Sequence, residues 1–282
     1  MKNNIIKEEA IFLNQPIGVI DSGVGGLTVV HELMRQLPKE KLIYLGDTLR
    51  CPYGPRTKEE VQTFTWEMVD FLIQKDIKML IVACNTATAY TLPDLQEKLN
   101  IPVVGVIQPG ARAAINFTTN DYIGVIGTEG TVKSEAYPKA LHSIKPELRV
   151  ESLACPMFVP MVEQGILSGI KAEHIVEKSL RPLKALHNID TLILGCTHYP
   201  LIKDVIQKVV GDEVTLISSS EETARETSTI LEVHQLLNND DGPVNHEFYT
   251  TGELGLFTKI TQSIFHSSID NLKSVTIEKA VI

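Results

Sequence analysis

Two cysteines lie where an apolar run gives way to small polar residues. Cys84 follows the apolar run at 79–83, and Cys196 follows the apolar run at 192–195. In open parallel α/β sheets, ligands bind outside the carboxyl ends of the strands. Because cysteine is a poor helix cap, capping alone does not explain these positions. Both thiols are therefore candidates for chemistry.

Four interpretations of this cysteine pair are open. Both thiols can be structural, since free cysteine is among the most buried residue types. A metal site could use Cys84, Cys196 and His198, although this set lacks the closed four-ligand pattern of structural zinc. A redox disulfide is the third interpretation, but neither cysteine lies in a Cys-x-x-Cys motif. The fourth interpretation is a pair of acid/base thiols.

The acid/base interpretation gives both cysteines a task. A helix N-terminus or a neighbouring cation can lower the pKa of a thiol from about 8.5 towards neutrality. Two such thiols on opposite faces of a bound molecule can remove a proton from one side and return one from the other, which inverts a stereocentre. Asp21 and Asp47 on one half, and Glu163 and His198 on the other, are candidates to exchange protons with the thiols.

Other classes of protein remain open at this point. A cysteine hydrolase could use Cys196 as the nucleophile and His198 as the base, but it would leave Cys84 without a role. A binding module that keeps the fold without turnover is a further alternative.

Amide and hydroxyl donors beside the thiols suit a small carboxylate ligand. These donors are the side chains of Asn85, Thr86 and Thr197.

The elements that must position these residues alternate along the chain. Short β-branched runs alternate with stretches of helical periodicity, which is typical of parallel α/β folds. The predicted strands are nearly continuous in Ile, Val and Leu, as expected of strands buried on both faces. They span 17–20, 42–45, 79–83, 103–107, 123–126, 150–153, 192–194 and 214–217. Helices are predicted over 27–37, 61–74, 172–186 and 201–210, and Thr57 with Glu60 predicts a capping box.

The segments around the two cysteines share one layout, which predicts two similar halves. We expect two α/β domains with mainly parallel sheets and the active site in the cleft between them. The first domain is predicted over 17–107 plus 218–282, the second over 108–217, and an N-terminal extension over 1–16.

Composition narrows the class of protein. The chain has 282 residues, 43% of them hydrophobic and 22% charged, as in ordinary globular proteins. A net charge of −9 without a basic cluster argues against nucleic acid as a partner. No apolar run reaches the roughly 18 residues of a membrane span. The first residues lack a signal-peptide pattern, so we expect a cytoplasmic protein with reduced cysteines and no membrane association.

Seven motifs occur in an order that is specific to one family. They are IDSGVGGLTV (20–29), YLGDT (44–48), CPYGPR (51–56), ACNTAT (83–88), PVVGVI (102–107), IGVIGT (123–128) and LILGCTHYPL (192–201). With them the chain, from about residue 17 onward, resembles the glutamate racemases of the aspartate/glutamate racemase superfamily. The resemblance implies a cofactor-independent enzyme that interconverts L- and D-glutamate for bacterial peptidoglycan. It also implies a homodimer.

The same resemblance implies roles for individual residues. Cys84 is the implied base towards D-glutamate, and Cys196 is the implied base towards L-glutamate. The implied supporting acid/base groups are Asp21, Asp47, Glu163 and His198. The implied substrate contacts are Asp21, Ser22, Tyr53, Gly54, Asn85, Thr86, Thr197 and His198.

Four points qualify this assignment. Ser218-Ser219-Ser220 stands where the family usually has Asp-Ser-Gly, so an acid there is absent or moved. Aspartate racemisation is the alternative within the superfamily, and His198 favours glutamate because the aspartate enzymes tend to carry Glu at this position. Periodicity alone predicts Glu163 as a solvated helix residue, and only the resemblance gives it a role. Cys51 is not predicted to have a chemical role, and Cys155 is predicted to be a core residue.

Overall fold

A computed structural model of the protein describes residues 13–186, 188–265, 269 and 271–277. Residues 1–12 of the predicted extension over 1–16 lie outside the described residues. The strands are β1 (Ile17–Asp21), β2 (Leu42–Gly46), β3 (Met79–Val82), β4 (Val103–Gly105), β5 (Tyr122–Gly127), β6 (Arg149–Ala154), β7 (Thr191–Gly195), β8 (Thr215–Ser218), β9 (Glu247–Thr250) and β10 (Leu272–Ser274).

Helices connect these strands. They are α1 (Leu27–Gln36), α2 (Lys58–Ile73), α3 (Asn85–Lys98), α4 (Ile107–Phe117), α5 (Glu129–Lys133), α6 (Ala136–Ile144), α7 (Phe158–Glu163), α8 (Ile170–Lys184), a 3₁₀ helix (Tyr199–Ile202), α9 (Lys203–Val210), α10 (Ser219–Val233) and α11 (Leu254–Phe265). Within the described ranges, no helix combines the length and the apolar character needed to cross a bilayer.

The strands form two separate parallel sheets, which confirms the predicted fold class. The first sheet has the order β10-β9-β2-β1-β3-β4, and the second has the order β6-β5-β7-β8. Strands β1, β2, β3, β5 and β7 are buried along their whole length, as their apolar runs predict. Cys84 directly follows Ala83 after β3, and Cys196 directly follows β7, so each thiol lies at the carboxyl end of a central strand in a different sheet.

The structure corrects the prediction in two places. The strand predicted over 103–107 ends at Gly105, and α4 begins at Ile107. Pro109 is the third residue of α4, where a missing N–H costs no intrahelical hydrogen bond because the first four are unpaired. Strands β9 and β10 were not predicted at all; β9 pairs with β2 and extends the first sheet. The predicted domain boundaries remain a prediction.

Side chains cap the N-termini of α2 and α3. The capping box is confirmed: Thr57 Oγ1 accepts a hydrogen bond from the Glu60 N–H, and Glu60 Oε2 accepts one from the Thr57 N–H. Cys84 occupies the N-cap position of α3, and its Sγ lies 3.5 Å from the Ala87 nitrogen. The thiol of Cys84 therefore lies at the positive end of the α3 dipole.

The serine run that departs from the family pattern connects the two sheets. Ser218 Oγ accepts a hydrogen bond from the backbone N–H of Ser220 at the start of α10. Ser220 Oγ lies 3.1 Å from Thr28 Oγ1, and Thr28 Oγ1 also donates to the Thr197 carbonyl. Thr28 belongs to α1, which follows β1 of the first sheet, and Thr197 belongs to the loop after β7 of the second sheet. These hydroxyl groups therefore form hydrogen bonds between the two halves.

Candidate functional site

The two cysteines face one cavity from two different sheets. Both thiols are buried, with 5% of Cys84 and 6% of Cys196 exposed. The lining of the cavity consists of Ser22, Pro52, Tyr53, Gly54, Cys84, Asn85, Thr86, Thr128, Val159, Cys196, Thr197 and His198. Every residue expected to contact substrate lines this cavity except Asp21. The structure therefore brings the predicted site together.

Close approach of the two halves depends on a glycine. A Cβ atom built on Gly25, which follows β1, would lie 2.5 Å from Thr197 Oγ1 and 2.5 Å from His198 Nδ1. Such contacts are too short for any side chain. Glycine at position 25 therefore lets the loop after β1 lie directly against the loop that carries Cys196.

Asp21 and Ser22 surround Cys84 on the first half. Cys84 Sγ lies 3.5 Å from Ser22 Oγ, to which it donates a hydrogen bond. Burial and then the charge of Asp21 raise the pKa of Cys84 to about 12. The pKa of Asp21 is itself raised, chiefly by burial, although the charge of His198 and the N–H of Gly23 oppose this effect. Cys84 therefore carries its proton at neutral pH in this state of the protein.

His198 and Glu163 surround Cys196 on the second half. Cys196 Sγ lies 3.8 Å from His198 Nδ1, and His198 Nε2 lies 2.7 Å from Glu163 Oε1. Burial alone would lower the pKa of His198, but hydrogen bonds with Cys196, Cys51 and Glu163 outweigh it and raise the pKa well above its usual value. The pKa of Glu163 is lowered, because the hydrogen bond and charge of His198 outweigh its burial. A cationic imidazole beside a buried thiol is the arrangement that favours a thiolate.

The position of Glu163 corrects the expectation from periodicity. Glu163 ends the short helix α7, and its side chain is only 20% exposed rather than solvated. Its partner His198 is 35 residues away in the chain. Helical periodicity within one element cannot reveal such a contact, because the partner belongs to a different loop.

Asp47 lies behind the cavity rather than beside a thiol. Its Oδ2 accepts hydrogen bonds from Tyr53 Oη at 2.5 Å and from Arg50 Nε at 2.6 Å, and its Oδ1 accepts one from Thr251 Oγ1 at 2.7 Å. Among the described residues it has no hydrogen bond with either cysteine. In this arrangement Asp47 orients Tyr53, whose ring lines the cavity.

Donors suited to a carboxylate lie at the start of α3. Asn85 is 2% exposed and its Oδ1 accepts a hydrogen bond from Tyr137 Oη at 2.7 Å. Its Nδ2 has no hydrogen-bond partner among the described residues. Thr86 Oγ1 lies 2.8 Å from Thr128 Oγ1, so Thr128 supports this edge as well as capping α5. An unpartnered buried amide in a cavity is an available donor for a bound anion.

Some members of the site had little or no signal in the sequence. The sequence does not predict a chemical role for Cys51, yet its Sγ lies 3.7 Å from Glu163 Oε1, to which it donates a hydrogen bond. Tyr137 and Thr251 were not predicted, because each acts through a contact between distant segments. Cys155 is fully buried and confirms the prediction of a core residue.

Comparisons with known proteins agree with this geometry. Residues 17–227 match the model of the Asp/Glu/hydantoin racemase family. A glutamate racemase of Oceanobacillus iheyensis is 66% identical over 270 residues, which are 96% of this chain and 98% of that protein.

Solved structures give the same result at the level of the fold. The crystal structure of glutamate racemase isoform RacE1 from Bacillus anthracis matches with a TM-score of 0.90 and 52% identity, covering 93% of this chain and 98% of that one. Glutamate racemase from Francisella tularensis, crystallised with D-glutamate, matches with a TM-score of 0.87 and 37% identity, covering 94% and 99%.

Proposed function

The chain belongs to the glutamate racemases of the Asp/Glu/hydantoin racemase family, and from this membership we propose that it interconverts L- and D-glutamate by proton transfer between the substrate and two thiols. The observation that carries the proposal is the placement of Cys84 and Cys196 on different sheets around one cavity. One base on each side of a bound molecule is what inversion at a carbon requires.

The proposed proton route begins with L-glutamate. The thiolate of Cys196 takes the α-proton and becomes a thiol, while the thiol of Cys84 gives its proton to the opposite face and becomes a thiolate. The product is D-glutamate, and the same steps in reverse convert it back. His198 with Glu163, and Ser22 with Asp21, then exchange protons with the two sulfur atoms so that the enzyme is ready for either enantiomer.

The chemical difficulty of this reaction is the negative charge that forms at the α-carbon. The enzyme we propose uses no cofactor, so fixed dipoles must stabilise that charge in a site that excludes water. Asn85 Nδ2, with no partner among the described residues, is placed to donate to a carboxylate oxygen. Hydroxyl groups of Ser22, Thr86 and Thr197 line the same cavity. Asp21 does not line the cavity, and it supports this edge by accepting a hydrogen bond from Thr197 Oγ1.

The test is incubation of purified protein with L-glutamate in D₂O without any added cofactor. We expect loss of optical rotation together with entry of deuterium at the α-carbon. Faster racemisation of L-aspartate would move the assignment to the aspartate racemases. Hydrolysis that depends on Cys196 but not on Cys84 would move it to a cysteine hydrolase. No exchange from either glutamate enantiomer under reducing conditions would refute the proposal.

The proposed cellular role and the proposed assembly also rest on membership of the glutamate racemase family. We propose that the protein is a cytoplasmic homodimer and that its D-glutamate enters bacterial peptidoglycan. Deletion of its gene in the source organism, provided no second racemase is present, should cause dependence on external D-glutamate. Light scattering of the purified protein should give twice the chain mass of 31.2 kDa. A monomer would refute the assembly without affecting the chemistry.

A further inference from the structure

Cys51, Glu163 and His198 form a cluster of three different donor groups at the edge of the site. Their donor atoms, a thiol sulfur, a carboxylate oxygen and an imidazole nitrogen, all lie within 4.8 Å of one another. Cys51 follows β2, Glu163 ends α7, and His198 follows β7, so three separate segments converge here. Cys51 has no task in the proposed proton route.

The three groups lie directly against Gly23, at a position where a larger residue would not fit. A Cβ atom built on Gly23 would lie 2.9 Å from Cys51 Sγ, 2.9 Å from Glu163 Oε1 and 3.5 Å from His198 Cε1. Because residue 23 is glycine, the three groups face one another directly. Cys51 and Glu163 are only partly buried, so an ion can reach them from solvent.

We propose that Cys51, Glu163 and His198 bind a thiophilic divalent cation of the zinc type, and that the bound ion inhibits the enzyme. Zinc accepts one thiolate, one imidazole and one carboxylate at about 2.0–2.3 Å, with water as the fourth ligand. Tetrahedral bonds of that length place donor atoms about 3.3–3.7 Å apart. The 3.7 Å between Cys51 Sγ and Glu163 Oε1 already fits. The 2.7 Å between His198 Nε2 and Glu163 Oε1 must lengthen by less than about 1 Å as the ion replaces the proton between them.

Inhibition follows from which atoms of His198 and Glu163 the ion would use. Cys196 lies at Nδ1 of His198, on the other side of the ring from Nε2, so the ion leaves that contact in place. Binding releases the thiol proton of Cys51 and the Nε2 proton of His198 to solvent. The imidazole then has no proton at Nε2 to exchange with Glu163. The inhibitory part of this proposal rests on the proposed function, whereas metal binding does not.

Metal binding is tested first, without reference to activity. The full-length Cys84→Ser/Cys196→Ser variant removes both thiols of the proton route and is titrated with Co²⁺ in a non-thiol reductant. We expect one Co²⁺ per chain and a thiolate-to-cobalt charge-transfer band in the near ultraviolet. Further replacement Cys51→Ser should abolish the band, and the matched replacement Cys155→Ser should retain it. No band, or a band that survives Cys51→Ser, would overturn the site.

Inhibition is tested separately by Zn²⁺ in the racemisation assay. The Cys51→Ser variant, measured against its own turnover in metal-free buffer, should need at least tenfold more Zn²⁺ for half-inhibition, whereas Cys155→Ser should behave like the wild type. Unchanged sensitivity of Cys51→Ser would mean that the thiols of the proton route hold the ion, and would overturn the inhibitory claim. Absence of racemisation in metal-free buffer would refute the proposed function and leave the cobalt result as the test of the site.

Discussion

The two thiols occupy equivalent positions after β3 and β7, but their surroundings differ. Cys84 caps the 14-residue helix α3 and has a hydroxyl and a carboxyl group as neighbours. Cys196 is followed by a 3₁₀ helix of only four residues, and its neighbour is His198, backed by Glu163. One half therefore supplies positive potential from a helix N-terminus and the other from an imidazolium. The two thiols can therefore have equivalent roles in proton transfer although different groups surround them.

The largest expected effect is the loss of either thiol. Cys84→Ser and Cys196→Ser should each lower kcat/KM by roughly 10²–10⁴-fold, because a hydroxyl is a far weaker acid and base than a thiol. The equilibrium constant between enantiomers is one, so kcat/KM must fall equally in both directions for each variant. Racemisation is followed by polarimetry from each enantiomer, with circular dichroism to verify the fold. Near-normal rates in both directions for either variant would contradict the two-thiol account.

The second expected effect concerns the ionisation of Cys84. Alkylation requires the thiolate, and the pKa of Cys84 is about 12. Its modification by iodoacetamide should be slow at pH 7 and accelerate about tenfold per pH unit up to pH 10, since the thiolate fraction rises as pH approaches a raised pKa. Peptide mass spectrometry measures the rate at each pH.

Cys155 is the internal control for this experiment. Burial raises its pKa to about 12 as well, but it lies in the core and outside the cavity lining. It should react more slowly than Cys84 at every pH. Rapid modification of Cys84 at pH 7, with no increase towards pH 10, would contradict the protonated state of this thiol.

The third effect concerns the carboxylate behind His198. Glu163→Gln keeps a hydrogen-bond acceptor for Nε2 but removes the negative charge that holds the imidazole protonated. We expect kcat to fall about tenfold, which corresponds to about 1.4 kcal/mol in activation free energy. Steady-state kinetics in both directions provide the measurement. Unchanged kcat would show that the charge of Glu163 is unimportant for turnover.

The smallest effect on turnover is expected for a neighbour of Cys84. Ser22→Ala removes a neutral hydrogen bond of 3.5 Å from Cys84, which is worth about 0.5–1 kcal/mol. Turnover should therefore fall about two- to fivefold, less than for Glu163→Gln. A larger loss for Ser22→Ala than for Glu163→Gln would show that the Cys84 half depends on its neighbours more strongly than we describe.

The sequence was sufficient for the parts of the fold that local pattern controls. Apolar runs such as 17–20 and 192–194 predicted strands that the structure confirms, because a strand buried on both faces leaves a continuous apolar signal. β9 was missed because Glu247–Thr250 is short and mixed in polarity. Its place in the sheet depends on pairing with β2, about 200 residues earlier in the chain.

In the candidate site, too, the sequence predicts what local pattern controls and misses contacts between distant segments. Cys84 and Cys196 could be selected from their positions at strand ends, and the motifs supplied their neighbours. The contact of Glu163 with His198 and that of Thr251 with Asp47 join segments far apart in the chain. Such contacts depend on which strand ends the fold places side by side within each sheet, and periodicity along one segment does not encode this.

The central claim is that two different bases act on opposite faces of the substrate. Its most direct test is the position of the label at early times in D₂O, starting from each pure enantiomer in turn. Two bases predict that the product enantiomer contains solvent deuterium at the α-carbon while the recovered substrate still contains hydrogen, in both directions. Transfer of the substrate's own hydrogen to the product, or equal labelling of product and recovered substrate, would indicate a single base and contradict the account.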